Sequence, residues 1–291
     1  MLKQRLITGP LLGLVLIAVI AFDAKLECIT YSFGMSIPNG LLIAILAAIA
    51  APLAAIELCS IARSVGARCS TPVLILTMEA WIATFYLTPA STSSTRAMAI
   101  VATIILCSMA LSVISLAKGK QIRGVFAGAA ITVATSTYVA MGFGLLILIR
   151  HEHSAWWIFG IIAIIKMCDT GAFFIGSNFG KHKLIPWISP GKTWEGLIGG
   201  LLTAGVTAVL LAAASDKWLP TEPHISMQTA FGIGILFGFL GQAGDLIMSI
   251  FKRDSGLKDA SSVLPGLGGV LDVLDSLLLV GPAAYWILSS H

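Results

Sequence analysis

Seven ionisable side chains stand inside long apolar runs: Glu57, Glu79, Lys166, Asp169, Asp245, Asp272 and Asp275. Charge in such a run is costly and by default marks function. Asp169 and Asp245 fall shortly before the ends of their runs, and Asp272 and Asp275 shortly after the start of theirs. At helical rise, all four then fit one slab within ~12 Å of one membrane face. Asp272 and Asp275 are three residues apart and share a helix face. Carboxylates at one depth repel one another unless a cation joins them. Hard oxygen donors suit Mg²⁺, which usually takes one or two carboxylates plus substrate phosphates. A plainer alternative is that the acids pair with Lys166, Lys252, Arg253 or Lys258 and only hold helices together. Glu57 and Glu79 have no motif around them and are assigned to structural pairing or helix polarity.

Two polar segments flank these acids. One reads Gly180-Lys181-His182-Lys183-Leu184 and then Ser189-Pro190-Gly191-Lys192-Thr193-Trp194-Glu195-Gly196. Its lysines beside a helix start form a plausible phosphate cradle. It is not a P-loop, because the earlier glycine is missing at the required spacing. Taken alone, the segment is better explained by lysines that merely mark the inner membrane face. The other segment is richer. It runs from Gly244-Asp245 through Ser249, Lys252-Arg253 and Lys258-Asp259 to Pro265-Gly266-Leu267-Gly268-Gly269, Asp272 and Asp275-Ser276. Phosphoryl chemistry needs this mixture: cations against phosphates, carboxylates for a metal, and glycines where backbone must come close.

The elements that must position these groups are spans. The chain has 291 residues, 57% hydrophobic and 11% charged, with a mean hydropathy of +0.94. A soluble domain is about one quarter charged, so a soluble enzyme, a disordered chain and a water-soluble nucleic-acid binder are all excluded. A net charge of +4 is too small to argue for nucleic acid. The sequence predicts an all-α, polytopic transmembrane bundle of about nine spans. They cover roughly 6–22, 41–62, 72–88, 97–117, 125–149, 155–177, 196–214, 228–250 and 269–289. The first is read as a retained helix rather than a signal peptide. The linkers leave no room for a separate soluble domain. Residues 1–150 are read as N-terminal helices and 151–291 as the catalytic half of one integrated membrane domain. The five cysteines have no metal-ligand spacing and are read as small apolar core residues, not as a disulfide set.

Orientation follows from charge. The N-terminus and the even-numbered loops hold Lys3, Arg5, Arg63, Arg68, Lys118, Lys120, Arg123, Lys181, Lys183, Lys192, Lys252, Arg253 and Lys258, against Lys25, Arg96, Arg150 and Lys217 opposite. The N-terminus and both polar segments are therefore expected in the cytoplasm.

At these residues the sequence resembles the phosphatidate cytidylyltransferase (CDP-diglyceride synthase) family. From Ser249 to Asp275 it follows the family signature S-x-[LIVMF]-K-R-x4-K-D-x-[GSA]-x2-[LIF]-[PGS]-x-H-G-G-[LIVMF]-x-D-R-[LIVMFT]-D. The departures are Leu267 for the His and Val273 for the Arg. Asp169-Thr170-Gly171-Ala172-Phe173, Gly180-Lys181 and Ser189 to Gly196 are also similar to the family, so the resemblance covers roughly 165–280. It implies transfer of a cytidylyl group from CTP to phosphatidate with Mg²⁺, releasing pyrophosphate.

Under that resemblance, Asp245 and Asp272 are expected to hold Mg²⁺, with Asp259 and Asp275 completing the site or binding a second cation. Lys252, Arg253 and Lys258 would neutralise phosphate. Lys181, Ser189, Lys192, Thr193 and Glu195 would contact the nucleotide, and Asp169 would assist the metal or Lys166. The expected partners are CTP, phosphatidate and membrane lipid, with no nucleic acid. Glycines in the seventh and eighth spans permit close helix packing, within the chain first or between two chains as a homodimer. The expected location is a bacterial inner membrane. The alternatives are another lipid phosphate as acceptor, a CTP-dependent lipid kinase, a non-catalytic binding protein, or a cation-coupled transporter. Acids near one face beside basic segments favour the enzyme over the transporter.

Overall fold

The computed structural model describes residues 2–32, 37–88, 92–118, 122–219, 224–257, 259–261, 263–264, 266 and 268–289, with the side chains of 2–7, 28 and 30–32 excepted. The described chain forms helices α1 (Leu2–Ser32), α2 (Leu41–Ser64), α3 (Thr71–Leu87), α4 (Ser94–Ala117), α5 (Val125–Glu152) and α6 (Ala155–Phe179). A two-stranded hairpin, β1 (Lys183–Ile185) and β2 (Ser189–Thr193), follows. Then come α7 (Trp194–Trp218), α8 (Met227–Asp254) and α9 (Val270–Leu288). The expected all-α membrane architecture is present. Eight of these helices are long and apolar enough to span a bilayer, and α3 is a shorter apolar helix of 17 residues.

Lipid rather than water is the solvent for these helices. Leu14, Leu106 and Leu210 are 64, 69 and 66% exposed, an arrangement that is a liability in water and a requirement in hydrocarbon. Several hydroxyls inside the helices turn inward on their own backbone. Thr77, Thr103, Thr135 and Thr203 each donate to the carbonyl four residues back, so these four O–H groups are satisfied within their own helix.

The chain divides into two compact units, residues 1–148 with 251–273, and residues 149–250 with 274–291. In the first, α1 to α4 pack in chain order. Asp23 of α1, almost fully buried, accepts from the Leu42 amide at 3.0 Å and so caps α2. The sulfurs of Cys59 and Cys69 are bonded to each other, with their Cα atoms 5.5 Å apart. This corrects the expectation that the cysteines serve only as apolar filling. The tight α2–α3 connection brings the two together, while their separation of ten residues matches no motif. Arg63 closes the same turn, donating to the Cys69 carbonyl at 3.1 Å and to Thr71 Oγ1 at 2.8 Å.

In the second unit α6 and α7 pack along their length through small residues. A Cβ on Gly196 would meet the Ala172 carbonyl at 2.8 Å and Gly176 Cα at 3.1 Å, so only glycine permits this approach. The hairpin joins these two helices. It is antiparallel, with Lys183 opposite Thr193 and Ile185 opposite Ser189. Strands this short carry no period to detect in the sequence.

Helix ends also differ from expectation. The first helix is longer than its apolar core, and α8 continues through Lys252 and Arg253 instead of stopping at 250. Two cations in the last turn suit the negative end of the helix dipole.

Candidate active site

In the second unit one polar chain links α6, β2 and α8. Lys192 Nζ lies 2.6 Å from Asp245 Oδ2 and donates to Gln242 Oε1 at 2.8 Å. Gln242 Nε2 in turn donates to Asp169 Oδ1 at 2.8 Å. Lys166 lies one helical turn before Asp169 and pairs with its other oxygen at 3.4 Å. Gln242 and Asp245 are three residues apart on α8 and so share a face. The strand carries Lys192 to them because Thr193 ends it: the buried Thr193 Oγ1 accepts from the Gly196 amide at 3.1 Å and caps α7.

Asp275 of α9 is 2% exposed, and its Oδ1 accepts from both the amide and the hydroxyl of Ser276. The charges of Asp245 and Asp275 oppose each other, as do those of Asp169 and Asp245. The α8 backbone reaches α9 here through Gly244, where a Cβ would stand 2.5 Å from the Asp275 carbonyl.

In the first unit Lys252 and Asp272 form an ion pair at 2.5 Å with both side chains about nine-tenths buried. Asp272 Oδ2 also accepts from the amides of Ala260 and Gly269, at 2.9 and 2.8 Å. Asp272 thus folds back over the start of its own helix and holds the Ala260 and Gly269 amides. Beside it, Glu57 of α2 accepts from Ser261 Oγ at 2.6 Å and from the Val270 and Leu271 amides at 2.8 and 2.9 Å.

The structure therefore brings Asp169, Lys192, Asp245 and Asp275 into one unit, and Lys252 with Asp272 into the other. The remaining expected residues are placed differently. Thr193 spends its hydroxyl on the helix cap. Glu195 faces the hairpin instead, accepting from the His182 amide at 3.2 Å with its Oε1 2.6 Å from the His182 ring nitrogen. Ser189 is half-buried at the start of β2, and Lys181, Arg253 and Asp259 are exposed. Lys258 and the departure at Leu267 lie outside the described residues. Gln242 and Glu57 were missed as site residues. A neutral amide inside an apolar span, one turn from Asp245, is the signal that marks Gln242. For Glu57 the partners lie some two hundred residues away, so no local signal exists.

The described residues contain no ready-made cage of three or more acidic, His or Cys ligands for a metal. The donors nonetheless fit Mg²⁺. Asp245 and Asp275 are hard oxygen donors whose mutual repulsion a cation relieves, and Mg²⁺ draws most of its ligands from water and substrate phosphate. Asp272 is more committed. Three donors occupy its two oxygens, out of about four lone-pair directions.

Fold and site define a polytopic membrane protein with lysine–carboxylate pairs set into its spans. The chain belongs to the cytidylyltransferase family, whose model matches residues 3–291. It is similar to the phosphatidate cytidylyltransferase of Haemophilus influenzae, with 41% identity over 130 residues, 45% of this chain and 44% of that protein. The phosphatidate cytidylyltransferases of Staphylococcus saprophyticus and Staphylococcus aureus (strain COL) are 36% and 35% identical over 177 residues, 61% of this chain and 65% of each relative. The aligned stretches therefore cover less than two thirds of each relative's own length.

Proposed function

We propose that this protein transfers the cytidylyl group of CTP to phosphatidate, giving CDP-diacylglycerol and pyrophosphate. The observation that carries this reading is the chain Lys192–Gln242–Asp169 with Asp245, which joins the hairpin to two spans of a cytidylyltransferase-family protein. A lipid phosphate oxygen attacks the α-phosphorus of CTP, the bond to the bridging oxygen breaks, and pyrophosphate leaves. The attacking oxygen is already anionic, so no general base is needed. Catalysis is then positioning and charge neutralisation.

The roles follow from placement. Lys192 turns from Asp245 to phosphate oxygens, and Gln242 keeps it aimed. Asp245 and Asp275 would hold Mg²⁺, with Asp169 beside them, and the chemistry it would supply there is neutralisation of triphosphate charge. In the first unit Lys252, set by Asp272, and the exposed Arg253 neutralise phosphate. The excess of Lys and Arg on one side supports an active site facing the cytoplasm, where CTP is available, and the bacterial relatives support a bacterial cell membrane as its location.

The test is pyrophosphate release by the purified protein in detergent, given CTP, Mg²⁺ and dioleoyl phosphatidate. Release should require all three and stop on chelation with EDTA. Release of CDP instead would identify a lipid kinase. Release with an isoprenoid phosphate, and none with phosphatidate, would change the acceptor.

A further inference from the structure

Glu57 is 2% exposed on a helix long and apolar enough to span the membrane. A buried carboxylate there is expensive, so its partners must offset the cost. All three are neutral donors: Ser261 Oγ and the amides of Val270 and Leu271. Those two amides belong to the first turn of α9, where helix geometry leaves N–H groups without partners and the dipole favours negative charge. Gly269 allows this. A Cβ there would stand 2.6 Å from both carboxylate oxygens of Glu57.

Two carboxylates therefore divide one helix start. Asp272 takes the Gly269 and Ala260 amides and Lys252, while Glu57 takes the next two amides and Ser261. Without Glu57, the Val270 and Leu271 amides lose their acceptor, and the Asp272 carboxylate is the nearest alternative on the same turn. Asp272 would be drawn away from Lys252.

We infer that Glu57 is a positioning residue, holding the start of α9 and Ser261 so that Asp272 stays committed to Lys252. The inference rests on the proposed reaction for its consequence, because Lys252 is the group that would meet phosphate. A glutamine cannot replace Glu57, since its NH₂ would face a donor.

The test compares Glu57→Gln with the wild-type protein, purified in detergent, by two readouts. Hydrogen–deuterium exchange over the peptide containing Val270 and Leu271 should quicken at least tenfold. The half-saturating concentration of CTP or of phosphatidate should rise about tenfold, in the same substrate that Lys252→Met affects. Ser261→Ala, which removes one donor only, should shift both readouts in the same sense and less.

Faster exchange with unchanged half-saturation, or a lower maximal rate alone, would make Glu57 merely structural and overturn the inference. Unchanged exchange would overturn it outright. A wild-type protein that releases no pyrophosphate would remove the proposed reaction, and the positioning role with it, whatever the exchange shows.

Discussion

Lys192 Nζ lies 2.6 Å from Asp245 Oδ2, although all of α7 separates them in the chain. The pair is partly buried, at 20 and 33% exposure, so it is shielded from the screening that makes surface pairs weak. If Asp245 holds the metal, Asp245→Ala and Asp245→Asn should each reduce pyrophosphate release by about 10²–10³-fold or more. Membrane insertion and yield should stay as in the wild type. Wild-type turnover in either variant would remove Asp245 from the metal site.

Gln242 presents both halves of its amide, donating to Asp169 and accepting from Lys192. Gln242→Leu keeps the bulk and leaves both neighbours short of a partner. The expected cost is about 1–3 kcal/mol of stability and about a tenfold loss of kcat. Thermal unfolding and initial rates would check it. A variant that matches the wild type in rate would show that Lys192 needs no aiming.

Gly244 tests the α8–α9 approach. A methyl group at this position would press on the Asp275 carbonyl, and backbone cannot swing aside as a side-chain tip can. Gly244→Ala should cost about 1–3 kcal/mol, seen as a lower Tm. An unchanged Tm would mean that the two helices separate freely there.

The Lys252–Asp272 pair is more buried than the Lys192–Asp245 and Lys166–Asp169 pairs. Lys252→Met leaves a carboxylate without its cation, a change that typically costs about 3–5 kcal/mol. Adding Asp272→Asn removes the stranded charge and keeps an acceptor for the Ala260 and Gly269 amides. The double variant should therefore recover part of the stability lost by Lys252→Met, while its half-saturating substrate concentration stays raised as in Lys252→Met. A double variant less stable than either single one would contradict this account.

The Cys59–Cys69 bond closes a short loop at the end of α2. Cys59→Ser with Cys69→Ser should lower stability by about 2–3 kcal/mol, and thiol labelling of the wild type should rise after reduction. Equal labelling before and after reduction would show that the bond is absent in solution.

The helices were legible because a bilayer imposes one rule on every span, a long apolar run with its hydrogen bonds satisfied internally. The acids of α6, α8 and α9 were legible for the converse reason, that charge in such a run stands out. What the sequence concealed was pairing. Lys192 could not be matched to Asp245, or Glu57 to the start of α9, because each match is made by packing between segments far apart in the chain. Thr193 and Glu195 show a related effect. Beside Lys192 they look like nucleotide ligands, yet the helix cap and the hairpin take up their polar atoms. Cys59 and Cys69 had a spacing that means nothing until a helical turn folds it.

Lys192 and Lys252 each already hold a carboxylate. If Lys192 takes phosphate as proposed, that capture is an exchange of partners that leaves Asp245 with uncompensated charge. A Mg²⁺ held by Asp245 would offset that charge and would free Lys192 from it. Each ligand removes an obstacle to the other, so nucleotide and Mg²⁺ should bind with positive cooperativity, and linkage makes the enhancement equal in both directions.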